Sequence, residues 1–339
     1  MDVLSDVIAL MRTGKPTSAL VRWHAPWGQR FPAVPGAAGF QVVLSGSCHL
    51  VSEDGGPAVE LRAGDVLFMP HGNGYTLLGA PDSAVAEPSC SAAAGPGGGP
   101  VLVSDTVGEP GAGPVTVTLC GGYRLDAELA HPLLRELPAV VRLSGGPDGV
   151  PGVAEAVALL AREADPARAG LGADTLVPAL LDVLLLYVLR AHYEDGGPGG
   201  GAGAGAGTGT GAGAGAGAGG WAGALADPGI GAALTAMHRE PQRPWTVASL
   251  GTRAGMSRAA FARRFHDLVG RPPLAYLTWW RMTTAARLLR TTDTPLAALA
   301  AGSGYSSEYA FAHAFKRAYG IPPGRYRAAR PGGPFRSQH

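Results

Sequence analysis

The sequence predicts an α+β chain, with a β-rich amino-terminal half and an all-α carboxy-terminal domain that carries two helix-turn-helix units. Three observations carry this. Short apolar or alternating segments broken by Gly, Asp and Pro fill residues 19–141, the pattern of strands joined by tight turns. After Trp245 a short helix, a glycine turn and a capped second helix follow one another, and the same order recurs about 49 residues later. Between the halves Gly196 to Gly220 is almost pure Gly and Ala, which offers a core nothing to hold and reads as a flexible tether.

In the first half, Gly39 to Gly46, Cys48 to Val51 and Val59 to Leu61 read as strands. Gly64-Asp65 then makes a turn into the apolar run Val66-Leu67-Phe68-Met69, which ends at Pro70-His71-Gly72. A Gly/Ala-rich loop, Ala92 to Gly99, interrupts the strands. Two helices follow, Val153 to Glu163 and Thr175 to His192. The second carries an apolar stripe broader than one small barrel needs to cover. Its most hydrophobic part, Leu176 to Leu189, contains Pro178 and Asp182 and falls short of a bilayer span.

Thr246 caps a helix running to Gly251, Gly255 turns the chain, and Ser257 caps a helix over Arg258 to Val269 whose Phe261, Phe265 and Leu268 share a face. Gly251 stands where two helices approach closely and a small residue is required. A long helix, Leu274 to Arg290, spans roughly 25 Å. Pro295 then opens the second unit, which turns at Gly302-Ser303-Gly304, is capped by Ser306 or Ser307, buries Phe311 and Phe315, and stops at Gly320.

The tether also divides the charge. From Trp221 onward there are 15 Arg and 1 Lys against 5 acidic residues, a balance of +11, whereas the residues before it sum to −10. The whole-chain charge of +1 hides a basic block of the kind that binds nucleic acid. The opening residues are acidic and lack the basic, then apolar, order of a signal peptide, so a cytoplasmic protein that crosses no membrane is expected. Three scattered cysteines exclude a disulfide framework.

The run Trp245-Thr246-Val247…Ala254-Gly255-Met256-Ser257-Arg258…Phe261-Ala262-Arg263-Arg264-Phe265 resembles the AraC/XylS transcription regulators. So does Gly304-Tyr305-Ser306…Phe311…Phe315-Lys316-Arg317…Gly320-Ile321-Pro322-Pro323…Tyr326-Arg327. The Gly64-Asp65 turn with its strand to His71-Gly72 is similar to a cupin barrel, the variant that precedes many AraC-type regulators, as are Cys120 to Leu125 and His131 to Pro138. The resemblance implies a cupin-like sensing domain at 1–145, a helical dimerisation segment at 150–195, the linker at 196–220 and a double helix-turn-helix DNA-binding domain at 221–330.

Helix geometry and the resemblance together assign base reading to Ala259, Ala262 and Arg263 in the first unit and to Tyr309 and His313 in the second. Imidazole at 313 replaces an Arg common in relatives and cannot form the guanidinium fork. Ser257, Arg258, Arg264, Ser306, Ser307, Lys316 and Arg317 are assigned to phosphates. Arg22, His24, Gln41, His71 and Tyr75 are the candidate effector pocket. Gln41 and Tyr75 stand where metal-binding relatives often carry His, so no metal, cofactor or catalytic residue is expected. Cys90 and Cys120 are a candidate redox pair. Expected partners are promoter DNA, an unidentified small molecule, RNA polymerase and a second copy of the chain. The competing reading is a cupin-type binding protein or metal-dependent enzyme with an accessory basic domain.

Overall fold

The computed structural model describes residues 3–11, 16–53, 56–86, 102–109, 111, 113–124, 131–145, 149–165, 167–168, 170–194 and 220–329. The tether at 196–219, the loop at 92–99 and Cys90 lie outside the described residues. The chain divides into two units: residues 12–215 form one, and residues 1–11 with 216–339 form the other.

The first unit is a two-sheet β structure. Its strands are β1 (Thr17–His24), β2 (Gly28–Phe31), β3 (Ala37–Ser45), β4 (Ser47–Ser52), β5 (Val59–Arg62), β6 (Val66–Met69), β7 (Tyr75–Leu78), β8 (Leu102–Val107), β9 (Val115–Arg124) and β10 (Val141–Leu143). One sheet runs β10-β6-β3-β9-β1-β8 and the other β2-β7-β4-β5. Ala19, Val21, Trp23, Val43, Leu67 and Met69 of the first meet Cys48, Leu50, Leu61 and Leu77 of the second in one buried core. Because strand residues alternate sides, Phe40, Val42, Val66 and Phe68 point out of that core instead. They are covered by Leu184, Leu185 and Val188 of α4 (Ala173–Glu194), which runs beside α3 (Val153–Ala164).

The expected Gly-Asp turn is fixed by charge and by conformation. Gly64 takes φ +95°, and buried Asp65 accepts from the Arg62 amide at 3.0 Å and pairs with Arg142 of β10 at 2.7 Å. The short helix α2 (Pro132–Arg135) is capped by His131, whose Nδ1 accepts from the Leu133 amide. Tyr193 at the end of α4 donates to the Leu133 carbonyl at 2.6 Å, which ties that helix down. At 22 residues α4 exceeds the sequence expectation: Ala173–Tyr193 is long and apolar enough, by length and composition, to cross a membrane. Its Leu181, Leu184, Leu185, Val188 and Leu189 are buried in the protein.

The second unit is all helical: α1 (Val3–Met11), α5 (Gly220–Ala226), α6 (Pro228–Arg239), α7 (Val247–Arg253), α8 (Arg258–Val269), α9 (Pro273–Thr291), α10 (Leu296–Gly302), α11 (Glu308–Tyr319) and α12 (Pro323–Ala328). Two sequence boundaries are corrected here. The sequence reading places residues 1–11 in the sensing domain, but α1 packs on α6 and α9 of the helical unit, with Val3 and Val7 buried. Gly220 was the last tether residue, but it opens α5, whose Trp221 is fully buried.

Candidate nucleic-acid interface

Both turn-helix units are built by local chemistry. Thr246 and Ser249 form a reciprocal capping box at the start of α7, satisfying two amides that a helix start leaves open. Ser257 accepts from the Ala260 amide at 3.3 Å to start α8, and Ser307 accepts from the Ala310 amide at 3.2 Å to start α11. Gly270 and Gly320 end these helices at φ +74° and +76°. Gly251 is small for a packing reason: a Cβ there would lie 3.0 Å from the Met256 carbonyl oxygen.

The two second helices bury one side and offer the other. Phe261, Phe265 and Leu268 of α8 are buried, as are Phe311, Ala314 and Phe315 of α11. On the outer side Arg258, Ala259, Arg263 and Arg264 are exposed in α8, and Tyr309, His313, Lys316 and Arg317 in α11. Tyr309 is 83% exposed, which no core role explains for an aromatic side chain. Ala262 is only half-buried, on the flank of the exposed side. Ser257, Ser306 and Ser307 are exposed. The caps on Ser257 and Ser307 use hydroxyl lone pairs, so each O–H is still a donor.

The arginines divide in a way that residue counting misses. Arg281 of α9 donates from Nε to the Pro241 carbonyl at 2.5 Å and from Nη2 to the Arg243 carbonyl at 2.8 Å. Burial holds its pKa below the usual arginine range. Arg287 donates to the Ala9 carbonyl at 2.6 Å, Arg327 to the Thr294 carbonyl, and Arg243 and Arg290 lie over the rings of Trp245 and Tyr326. Arg264 was expected to be free for phosphate, but its Nε donates to Asp227 at 3.0 Å. Burial works against the charge on Asp227. Hydrogen bonds from the Ile230 amide, Arg264 and the Gly229 amide outweigh it and hold the carboxyl below the usual range. Among the described residues Arg258, Arg263 and Arg317 make no ion pair or hydrogen bond within the protein, so their charge faces solvent.

Of the five pocket candidates of the β unit, the structure joins Gln41 and Tyr75 by a hydrogen bond and gives Arg22 and His71 other partners. Gln41, on the core side of β3, donates from Nε2 to the Tyr75 hydroxyl at 2.8 Å, and Tyr75 packs against the core. The Gln41 Oε1 is buried without a hydrogen-bond partner. Arg22 and His24 lie on the opposite side of β1 from core-facing Val21 and Trp23, and Arg22 pairs with Asp165 at 3.3 Å. His71 is exposed, with Nε2 2.8 Å from the Leu137 carbonyl, which only accepts. Cys120 is buried and its thiol contacts the Ala19 carbonyl at 3.5 Å, so nothing in the described residues bears on the proposed pairing with Cys90. Burial, with help from Asp65, pushes the Cys48 thiol up to about 12.

Comparison with known proteins matches both units. A cupin family profile covers residues 2–194, and a helix-turn-helix domain profile covers residues 250–329. A putative AraC-like transcription regulator of Streptomyces lividans is 34% identical over 331 residues, which is 96% of this chain and 98% of its own length. The HTH-type transcriptional regulator AlkR of Acinetobacter baylyi is 27% identical over 334 residues, covering 96% and 99% respectively. Among solved structures, the DNA-binding domain of AdpA in complex with a target DNA is 37% identical, covering 32% of this chain and 99% of that one, with a TM-score of 0.30.

Proposed function

The chain belongs to the family of AraC-like transcription regulators with a cupin amino-terminal half, and from that premise we propose that α8 and α11 together read one promoter site on behalf of the cupin half. The observation that supports this best is the pair of exposed helix faces, each ending in unpartnered cations or an exposed aromatic ring. They are joined by α9, whose 19 residues span roughly 28 Å, near the roughly 34 Å between successive major grooves.

In this reading Ala259, Ala262, Arg263, Tyr309 and His313 meet base edges. Ser257, Arg258, Arg264, Ser306, Ser307, Lys316 and Arg317 grip phosphates, which position the protein without carrying sequence information. Arg263 lies about 200° around α8 from Phe261 and from Phe265, so it points directly away from the core. Its guanidinium is suited to guanine O6 and N7. Arg263→Ala is expected to cost about 1–3 kcal/mol on the specific duplex and to relax preference at one base pair. His313→Ala is expected to do the same with a smaller loss. Competition binding against specific and scrambled duplexes checks this, and equal losses on both would remove Arg263 from base reading.

The cupin half is assigned a small-molecule or stress signal, received near Gln41 and Tyr75, where a buried carbonyl oxygen offers an acceptor. Homodimerisation is assigned to α4. Leu176, Leu180, Val183 and Tyr187 recur at the four-three-four spacing of a coiled-coil seam, and Leu176 and Val183 are 44% and 40% exposed. Val183→Glu is expected to shift the protein toward monomer in sedimentation velocity while both units stay folded; an unchanged dimer would move the interface elsewhere. The regulator is read as acting in the cytoplasm, with RNA polymerase as its downstream partner and no catalytic residue of its own.

A further inference from the structure

Asp227 does two separate jobs with its two oxygens. Oδ1 accepts from the Gly229 and Ile230 amides at 2.9 and 3.0 Å and starts α6, whereas Oδ2 accepts from Arg264 Nε at 3.0 Å. The start of α6 is pressed against the first turn: a Cβ on Gly229 would lie 2.7 Å from the Ala254 carbonyl oxygen. The carboxylate is therefore held at a fixed place beside the recognition helix, and its side chain is 11% exposed against 52% for Arg264. The bond uses only Nε, and the two terminal amino groups of this half-exposed side chain make no further hydrogen bond among the described residues. An ordinary ion pair would cancel the Arg264 charge. Here the positive end of α6 already offsets part of the carboxylate, which leaves the pair attractive to an anion.

We propose that Asp227 is a positioning residue for DNA binding, which holds Arg264 by Nε so that its terminal amino groups meet a backbone phosphate beside α8. The proposal rests on the reading of α8 as a DNA-contacting helix and goes beyond it by naming what orients the grip. The second unit has no such clamp. Aligning Phe261 with Phe311 and Phe265 with Phe315 puts Ala314 opposite Arg264, and Ala314 is buried.

The test uses the full-length protein and a duplex enriched from a random-sequence library by that protein. Wild type, Arg264→Ala, Asp227→Asn and the double variant are titrated across a salt series. Asn keeps the helix cap, because it caps as well as Asp does. Arg264→Ala should lower the slope of log affinity against log salt by about one, as loss of one phosphate contact requires. Asp227→Asn should weaken binding about fivefold with Arg264 present, the scale of one lost hydrogen bond, and have no effect when residue 264 is Ala. Arg264→Lys, whose single ammonium cannot hold the carboxylate and a phosphate from opposite edges, should match Asp227→Asn and covers the case in which that variant misfolds. An unchanged slope in Arg264→Ala makes the pair a structural strut and overturns the proposal. So does tighter binding by Asp227→Asn in both backgrounds, which marks plain repulsion. Wild-type binding that is flat with salt would instead overturn the DNA reading itself, and the clamp with it.

Discussion

Gly304→Ala is expected to cost the helical unit about 3 kcal/mol, against about 1 kcal/mol for Gly255→Ala at the equivalent turn of the first unit. The two glycines share a conformation, with φ +75° and +68°. Strain from a side chain in that region is therefore common to both, at roughly 1 kcal/mol. They differ in their surroundings. A Cβ at Gly255 meets nothing within 4 Å, whereas one at Gly304 would lie 2.7 Å from the Gln242 carbonyl oxygen and 2.8 Å from Arg281 Nη2. Neither neighbour can withdraw cheaply, because one is backbone and the other is fastened to the Pro241 and Arg243 carbonyls. Urea unfolding followed by tryptophan fluorescence checks the difference. Equal losses at the two sites would mean that the Arg281 fastening yields freely.

The same comparison shows why the repeat was legible and its use of arginine was not. Each unit announces itself through residues that act on their own backbone: Gly255, Ser257 and Gly270 in the first, Gly304, Ser307 and Gly320 in the second. Such effects depend on neighbours three or four positions away, so a linear reading recovers them. The destination of an arginine depends on tertiary carbonyls. Arg281 reaches 40 positions back to Pro241, and Arg264 reaches 37 positions back to Asp227. Charge alone counted these with Arg263, although only the last points into solvent without a partner.

In the β unit, alternation in Ala19-Leu20-Val21-Arg22-Trp23-His24 does separate the two faces of β1. It does not say which face lies inward, because Leu20 and Val21 are both fully buried. A strand covered on both sides loses the contrast that marks a pocket, so the sequence does not tell that Arg22 and His24 lie on the opposite side of β1 from core-facing Val21 and Trp23. Helices α5 and α6 escaped for a related reason. GWAGALA and PGIGAALTAMHR are mostly small residues with weak periodicity, and what fixes them is contact with α7, α8 and α1. The start of the chain carried no signal that its partners lie more than 200 residues away.

Removal of residues 1–11 is expected to destabilise the helical unit by about 3 kcal/mol, although those residues precede the whole β unit in sequence. Val3 is 4% exposed and Val7 is fully buried, so their loss uncovers an apolar strip along α6 and α9. Asp6 lies 3.3 Å from His238 Nδ1, on a ring that stacks on Trp280 at 3.7 Å and meets the Tyr276 hydroxyl through Nε2 at 2.7 Å. Burial favours the neutral form of that histidine and outweighs the pull of Asp6. Without the carboxylate its Nδ1 faces a position that water or another acceptor must fill, at about 1–2 kcal/mol if nothing does. The Ala9 carbonyl is also taken from Arg287. Entropy recovered by not ordering α1 offsets part of these losses, which is why the figure is below their sum. Amide exchange reads the result directly: protection in α6 and α9 should fall roughly a hundredfold in the chain that lacks only residues 1–11, while the β unit is unaffected. Val7→Ala should reproduce about 1 kcal/mol of it. Unchanged protection in α6 and α9 would show that α1 rests on the helical unit without stabilising it, and a fragment beginning at Trp221 would then be as stable as the unit it came from.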